Sequence, residues 1–136
     1  MSLSDLALIG NCQLSALVSR SGNIAWCCMP RFDSAPVFAS LLDELDGGSF
    51  TICPADKSAG IQRYLPNTNV VETTFRSSDG MFRILDFAPR FVQFDRSFRP
   101  TKLIRMVEPL SGTPRICVRC EPTLGWSRVK PRAEFG

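Results

Sequence analysis

Apolar and polar positions alternate in short runs along most of the chain, with turn-forming residues between the runs, which is the pattern of strands. Leu8 and Ile9 on one side of Gly10-Asn11, and Leu14 and Ala16 to Val18 on the other, predict two short strands with a bend between them. Ser21-Gly22-Asn23 follows as a turn, because Gly and Asn tolerate the positive φ of tight hairpins. Ile24 to Met29 reads as an apolar strand that Pro30 ends. One helix is expected next. Ser34 is its N-cap, Pro36 lies in its first turn, Val37, Phe38, Leu41, Leu42 and Leu45 line one side, and Gly47-Gly48 stops it. Asp43, Glu44 and Asp46 sit near its C-terminus, where the dipole disfavours them, so tertiary packing has to hold it.

Strands resume with Ser49 to Cys53, Gln62 to Leu65 and Asn69 to Arg76, the last two separated by Pro66-Asn67-Thr68. Ser78-Asp79-Gly80 is the clearest hairpin signal, and it predicts that Val70 to Arg76 pairs antiparallel with Met81 to Phe87. Pro89 to Pro100 reads as a connecting loop that covers a sheet, sending Phe91, Phe94 and Phe98 into the core. Lys102 to Glu108 and Pro114 to Glu121, joined by Ser111-Gly112-Thr113, read as a second hairpin. About eight or nine strands, roughly ten residues apart, with one short helix, predict a mainly-β fold: an antiparallel sandwich or barrel-like sheet.

The 136 residues suit one domain, 1–136, and the balance of 44% hydrophobic to 21% charged residues excludes disorder and collagen. A net charge of +3, with one basic cluster at Arg128, Lys130 and Arg132, is too weak for a nucleic-acid partner. No apolar run approaches the roughly 18 residues of a membrane span, and the N-terminus lacks a signal-peptide pattern. The chain therefore reads as cytoplasmic, with free buried thiols as the expectation for its six cysteines. Cys117 and Cys120 form a CxxC, but in the alternating run Arg115 to Cys120 they point to opposite faces of a strand and cannot share a zinc ion. Histidine is absent, which removes Ser-His and Cys-His nucleophile pairs. GxGxxG, Walker A and HExxH patterns are also absent, and no cofactor or metal is expected.

Glycoside hydrolysis generally needs two carboxylates flanking the scissile bond. Asp33, Glu72, Asp86 and Glu108 are the candidates. Glu72 and Glu108 fall in strands with Arg76, Arg83 and Arg105 available as ion-pair partners, while Asp86 is expected to end a strand or accept backbone hydrogen bonds. The densest chemistry lies in Trp26-Cys27-Cys28-Met29-Pro30-Arg31-Phe32-Asp33-Ser34. Trp offers the apolar platform on which a sugar ring stacks, and Arg with Asp can donate to and accept from hydroxyls. A structural reading stands beside this one: Arg31 and Asp33 pair locally, Asp33 or Ser34 caps the helix, and Trp26 fills the core.

Several stretches in order carry a family resemblance. They are Leu8-Ile9-Gly10-Asn11, Ala16 to Trp26, Pro30-Arg31-Phe32-Asp33-Ser34, Arg63 to Phe75, Asp79-Gly80, Asp86 to Arg90 and Val107 to Gly112. In this order and spacing they resemble the opening of bacterial and archaeal glycoside hydrolase family 15 proteins, the glucoamylase-like and trehalase-like enzymes. The resemblance implies an N-terminal, supersandwich-like β-sandwich domain, with the catalytic glutamates in a following (α/α)6 domain absent from this chain. It implies inverting hydrolysis of α-glucosidic bonds without a cofactor. The implied partners are the chain's own C-terminal (α/α)6 domain and an α-glucoside substrate, with no nucleic acid and no membrane. No catalytic residue is expected here, and Trp26, Arg31, Phe32 and Asp33 are the implied substrate-binding residues near the entrance. Cys27-Cys28-Met29 departs from the aliphatic residues usual at that corner. Without its partner the domain should expose an apolar face and self-associate. The other reading is a stand-alone module that binds carbohydrate or protein through Trp26 and the Phe-rich loop.

Overall fold

A computed structural model describes residues 2–127, and the basic cluster Arg128, Lys130 and Arg132 lies outside them. After a 3-10 turn at Leu3–Asp5 come twelve strands: β1 (Leu6–Gly10), β2 (Ser15–Ser19), β3 (Asn23–Cys28), β4 (Pro36–Phe38), β5 (Ser49–Pro54), β6 (Ile61–Tyr64), β7 (Val71–Ser77), β8 (Gly80–Phe87), β9 (Phe91–Gln93), β10 (Arg96–Phe98), β11 (Ile104–Gly112) and β12 (Ile116–Glu121). One sheet runs β1-β2-β3-β5-β12, with β4 also on β3; a second runs β11-β8-β7-β6; β9 and β10 form a separate ribbon. All pairs are antiparallel. The mainly-β sandwich expected from the alternation is the fold observed.

The core lies between the sheets. Ile9, Val18 and Ile24 of the first sheet pack with Val71 of the second, and Ile52 packs with Phe75, Phe82 and Ile84. Phe75 and Phe82 stack with ring centroids 5.0 Å apart. The turn after β2 needs Gly22: its φ is +76°, and a Cβ there would stand 2.0 Å from the Ile52 carbonyl oxygen.

Three local expectations are corrected. The helix from Ser34 does not form. Pro36 and Phe38 are buried in β4, with Val37 between them half-buried. The Ala39 N–H donates to the Gly47 carbonyl at 2.7 Å and the Ser40 N–H to Gly48 at 3.1 Å, which pinches the ends of the following segment together. Asp43 accepts the Leu45 and Asp46 N–H groups, closing a turn, and Leu42 and Leu45 are 66% and 89% exposed. The C-terminal part of the expected stripe, Leu42 and Leu45, has no core to face, and the unfavourable acidic end is used as turn chemistry.

The second hairpin does not form either. Ser111 and Gly112 are instead the last residues of β11, opposite Met81 and Gly80, and β11 pairs with β8 in one sheet while β12 pairs with β5 in the other. A turn signal read from the sequence leaves the partner of each flanking strand to long-range packing. Finally, Phe91, Phe94 and Phe98 are exposed rather than core, and their segment is the β9–β10 ribbon.

Polar side chains join the sheets at both edges. Arg105 of β11, its side chain 2% exposed, pairs with fully buried Asp86 of β8 at 2.7 Å. It also donates to the Phe50 and Gly22 carbonyls at 2.7 and 2.8 Å, and its guanidinium lies 4.8 Å from the Phe50 ring centroid. Asp86 stands at the end of β8, next to its last residue, as expected, but its carboxylate pairs with Arg105 rather than accepting from the backbone. At the opposite edge, the Tyr64 hydroxyl of β6 accepts from the Leu8 N–H and donates to the Leu8 carbonyl of β1, both at 2.9 Å.

Candidate functional site

The corner that the sequence singles out is the bend leaving β3. Its Met29–Pro30 peptide is cis. The Phe32 N–H donates to the Gln13 carbonyl at 2.9 Å, the Ser34 N–H to the Arg31 carbonyl at 3.1 Å, and the Arg31 N–H to Ser34 Oγ at 3.2 Å. These bonds present Arg31, Phe32 and Asp33 to solvent at one end of the sandwich. Arg31 and Asp33 form a bidentate pair, both bonds 3.0 Å, with side chains 63% and 55% exposed. Such a pair contributes about 0 to 1 kcal/mol, so its two partners are held lightly. The local pairing foreseen from the sequence is present; the capping role is not, because no helix follows.

The neighbouring loops complete an open rim. Asn11, buried at the bend between β1 and β2, accepts the Gln13 and Leu14 N–H groups through Oδ1 and donates through Nδ2 to the Pro89 and Pro100 carbonyls, both at 3.0 Å. One side chain therefore fixes both ends of the segment that carries the β9–β10 ribbon. A groove of about 330 Å³ is lined by Cys12, Gln13, Arg31, Phe32 and Arg99. A second, of about 470 Å³, runs past Cys12 toward Asn69, Phe87 and Arg90. Arg90 donates to Cys12 Sγ at 3.3 Å where the two meet. Beyond them Phe91 and Phe98 stack with centroids 5.4 Å apart, over a turn in which Phe94 and Asp95 both have positive φ.

Trp26 belongs elsewhere. It is half-buried on β3, its ring centroid 6.3 Å from that of Trp126, which is largely exposed beside a small pocket with Asp43 and Asp46. Of the four expected binding residues the structure thus groups Arg31, Phe32 and Asp33 and leaves Trp26 outside their groove. Trp126 escaped the sequence reading because nothing in its local run marks it; only the fold sets it against Trp26.

The strand carboxylates are committed to arginines. Glu72, buried on β7, takes Arg63 at 2.7 Å and Arg83 at 2.9 Å, and Glu108 takes Arg83 at 2.7 Å. Burial alone would raise the Glu72 carboxyl, but the hydrogen bonds and charges of Arg63 and Arg83 outweigh it and hold it below the ordinary carboxylate range. For Asp86 the balance is reversed: burial lifts its carboxyl above that range against the pull of Arg105. Among the described residues, Asp33 is the only one of the four candidate carboxylates on the rim, and it is tied to Arg31. The rim offers hydrogen-bond donors and aromatic faces to a polar ligand, without two carboxylates placed across a groove.

The cysteines divide. Cys27, Cys28 and Cys53 are buried as expected, but Cys12, Cys117 and Cys120 are exposed, which corrects the all-buried reading. Burial pushes the Cys27 thiol up to about 11, with neighbouring Cys28 adding to it.

The family described as "Trehalase-like, N-terminal" matches residues 1–135. A trehalase of Mycolicibacterium smegmatis is 30% identical over 98% of the chain, which spans 22% of that relative's length. A trehalase of Thermoplasma volcanium is 36% identical over 93% of the chain and 20% of the relative. Trehalase 1 of Sulfolobus acidocaldarius is 46% identical over 65% of the chain and 16% of the relative. No solved structure matches the chain.

Proposed function

The chain belongs to the trehalase-like N-terminal family, and on that premise we propose that it is the non-catalytic N-terminal domain of a family 15 glycoside hydrolase of the glucoamylase and trehalase class. The intact enzyme hydrolyses an α-glucosidic bond with inversion, and a following (α/α)6 domain carries the acid and base that this requires. The chain spans only about a fifth of the Mycolicibacterium and Thermoplasma relatives, which leaves room for such a domain.

One observation carries the reading: the sandwich is unfinished along the β11–β12 edge. Every residue from Ile116 to Cys120 is exposed, so β12 is covered on neither face. Met106, Val107 and Leu110 of β11 are exposed in the strand that ends the other sheet. An apolar edge of this kind is a surface that packs against something, and the helical domain is the partner we assign to it; in its absence the same surface drives self-association. The corner of Arg31, Phe32 and Asp33 then borders the substrate entrance of the intact enzyme. A cytoplasmic setting belongs to the same proposal. It is supported by the six cysteines, all of them free thiols.

The exposed Phe32, Phe91, Phe94 and Phe98 favour a second reading, a stand-alone module that binds a glycan or a protein at the rim. Hydrolysis assays separate the two. The purified 136-residue chain should release no glucose from trehalose or maltose, and the same chain followed by the rest of its gene should. Turnover by the short chain, abolished by Asp33→Ala, would overturn the assignment, and a gene without a following helical domain would leave the module.

A further inference from the structure

We propose that Cys53 and Cys117 are a thiol–disulfide exchange pair, closing a reversible bond across β5 and β12 when a small-molecule disulfide such as oxidised glutathione is present. The two residues are direct partners in the antiparallel register, so their side chains project from the same face of the sheet. Two residues along, the Ala55 N–H donates to the Arg115 carbonyl at 3.1 Å. That places Cys53 and Cys117 at a hydrogen-bonded pair, whose Cα atoms are about 5.5 Å apart. The Cα separation falls within the roughly 4.4 to 6.8 Å span that a disulfide bridges, while Cβ atoms about 5.5 Å apart at such a pair must draw together by about 1 Å, which makes the bond easily reduced.

The other thiols are worse placed. Cys120 lies three residues along the same strand from Cys117, on the opposite face and opposite Phe50. At about 3.3 Å per residue it stands roughly 10 Å away, too far to bond within the CxxC. Cys27 and Cys28 are buried on β3, and Cys12 lies in the bend before β2.

Exposure sets the order of events. In the 136-residue chain, without the domain proposed above to cover β12, Cys117 is open to solvent and Cys53 is buried, so the Cys117 thiolate attacks the small disulfide first, forming a mixed disulfide and expelling one glutathione thiolate, which takes up a proton. The Cys53 thiolate then attacks the Cys117 sulfur and expels the second glutathione. Two protein thiols are oxidised by two electrons and one small disulfide is reduced to two thiols. Burial, the largest cause and one that persists in the mixed disulfide, raises the Cys53 thiol above its ordinary value against the pull of Lys57, which makes ring closure the slow step and one that accelerates as pH rises. The bond would fasten β12 to β5, its only neighbour in the sheet among the described residues.

The test is to incubate the reduced chain with oxidised glutathione, quench in acid, denature, alkylate and map the peptides. The expected result is a fall from six free thiols to four, a mass loss of about 2 Da and a linked peptide pair containing Cys53 and Cys117. The link should persist in Cys120→Ser and vanish in Cys117→Ser, and the mixed disulfide on Cys117 should accumulate at pH 6.5 and resolve at pH 8.5. A stable glutathione adduct on Cys117 with Cys53 still alkylatable at both pH values would overturn the proposal. So would a link formed through Cys12 or Cys120 in its place.

Discussion

The two edges of this sandwich are built on opposite principles. At the β1–β6 edge the sheets are stitched together: Tyr64 bonds both polar groups of the Leu8 backbone, Gln62 Nε2 reaches the Thr73 hydroxyl at 3.1 Å and the Ser19 carbonyl at 3.4 Å, and Asn69 donates to the Gly10 carbonyl at 2.9 Å. At the β11–β12 edge Arg105 clamps the sheets from within, and outside that clamp apolar side chains face solvent. Both edges come from the same kind of alternating sequence. The difference teaches that alternation makes a strand, and only specific polar side chains finish an edge, because exposed backbone groups and apolar residues invite pairing unless something covers them. Both edges expose apolar side chains, Leu8 and Ile61 at the stitched one and Ile116 and Val118 at the open one, so the polar stitching is what separates them, and the open edge is the one we assign to an interface.

The largest effect should come from Arg105→Ala. It removes the inner clamp of the open edge and leaves the Asp86 carboxylate and two carbonyls buried without their partner, a loss of about 3 to 5 kcal/mol in urea unfolding. Replacing both Asp86 and Arg105 with apolar residues of similar size should cost much less, since the penalty lies chiefly in the stranded charge.

Acid should act next, through Glu72. Its carboxyl titrates below the ordinary range in the folded chain, so its stabilisation is complete above the unfolded value, near pH ~4.3, and is lost as pH falls through the folded value. Urea midpoints followed from pH 6 to pH 3 should therefore drop more steeply for the native chain than for Glu72→Gln. That variant should cost about 1.5 to 3 kcal/mol at neutral pH, as expected for hydrogen bonds to a charged group.

Tyr64→Phe tests the stitched edge. It deletes one partly exposed hydroxyl with two bonds, and a loss of about 1 kcal/mol is expected, together with faster exchange of the Leu8 amide. Smallest of all is Val118→Lys on the open edge. Val118 is 63% exposed, so unfolding of the isolated chain should shift by no more than about 0.5 kcal/mol, while light scattering should register less self-association.

How much of this was legible in the sequence depended on the range of the forces involved. The hairpin at Ser78-Asp79-Gly80 was readable because a two-strand unit with its turn is a local object, and it formed in the expected register, Arg76 opposite Met81. The expected β11–β12 hairpin did not form, since each strand found its partner in a different sheet. The helix from Ser34 failed because Leu42 and Leu45, apolar at the expected spacing, have no buried surface to meet. The β9–β10 ribbon was hidden because Phe94 and Asp95, rather than glycine, occupy its positive-φ turn. At the rim, Arg31, Phe32 and Asp33 were readable as a group because they adjoin one another in the chain. Asn11 and Trp126 were not, for their roles come from segments nearly eighty residues or more away, Pro89 and Pro100 for Asn11 and Trp26 for Trp126.

The account rests on the open edge being an interface to the rest of a longer protein, and amide hydrogen exchange along β12 tests it most directly. In the 136-residue chain the Val118 and Cys120 amides should exchange quickly, and in the protein expressed from the complete gene they should be protected at least about tenfold, the factor that corresponds to 1.4 kcal/mol of added local stability. Equal exchange in the two proteins would mean that nothing covers this edge, and would contradict the account.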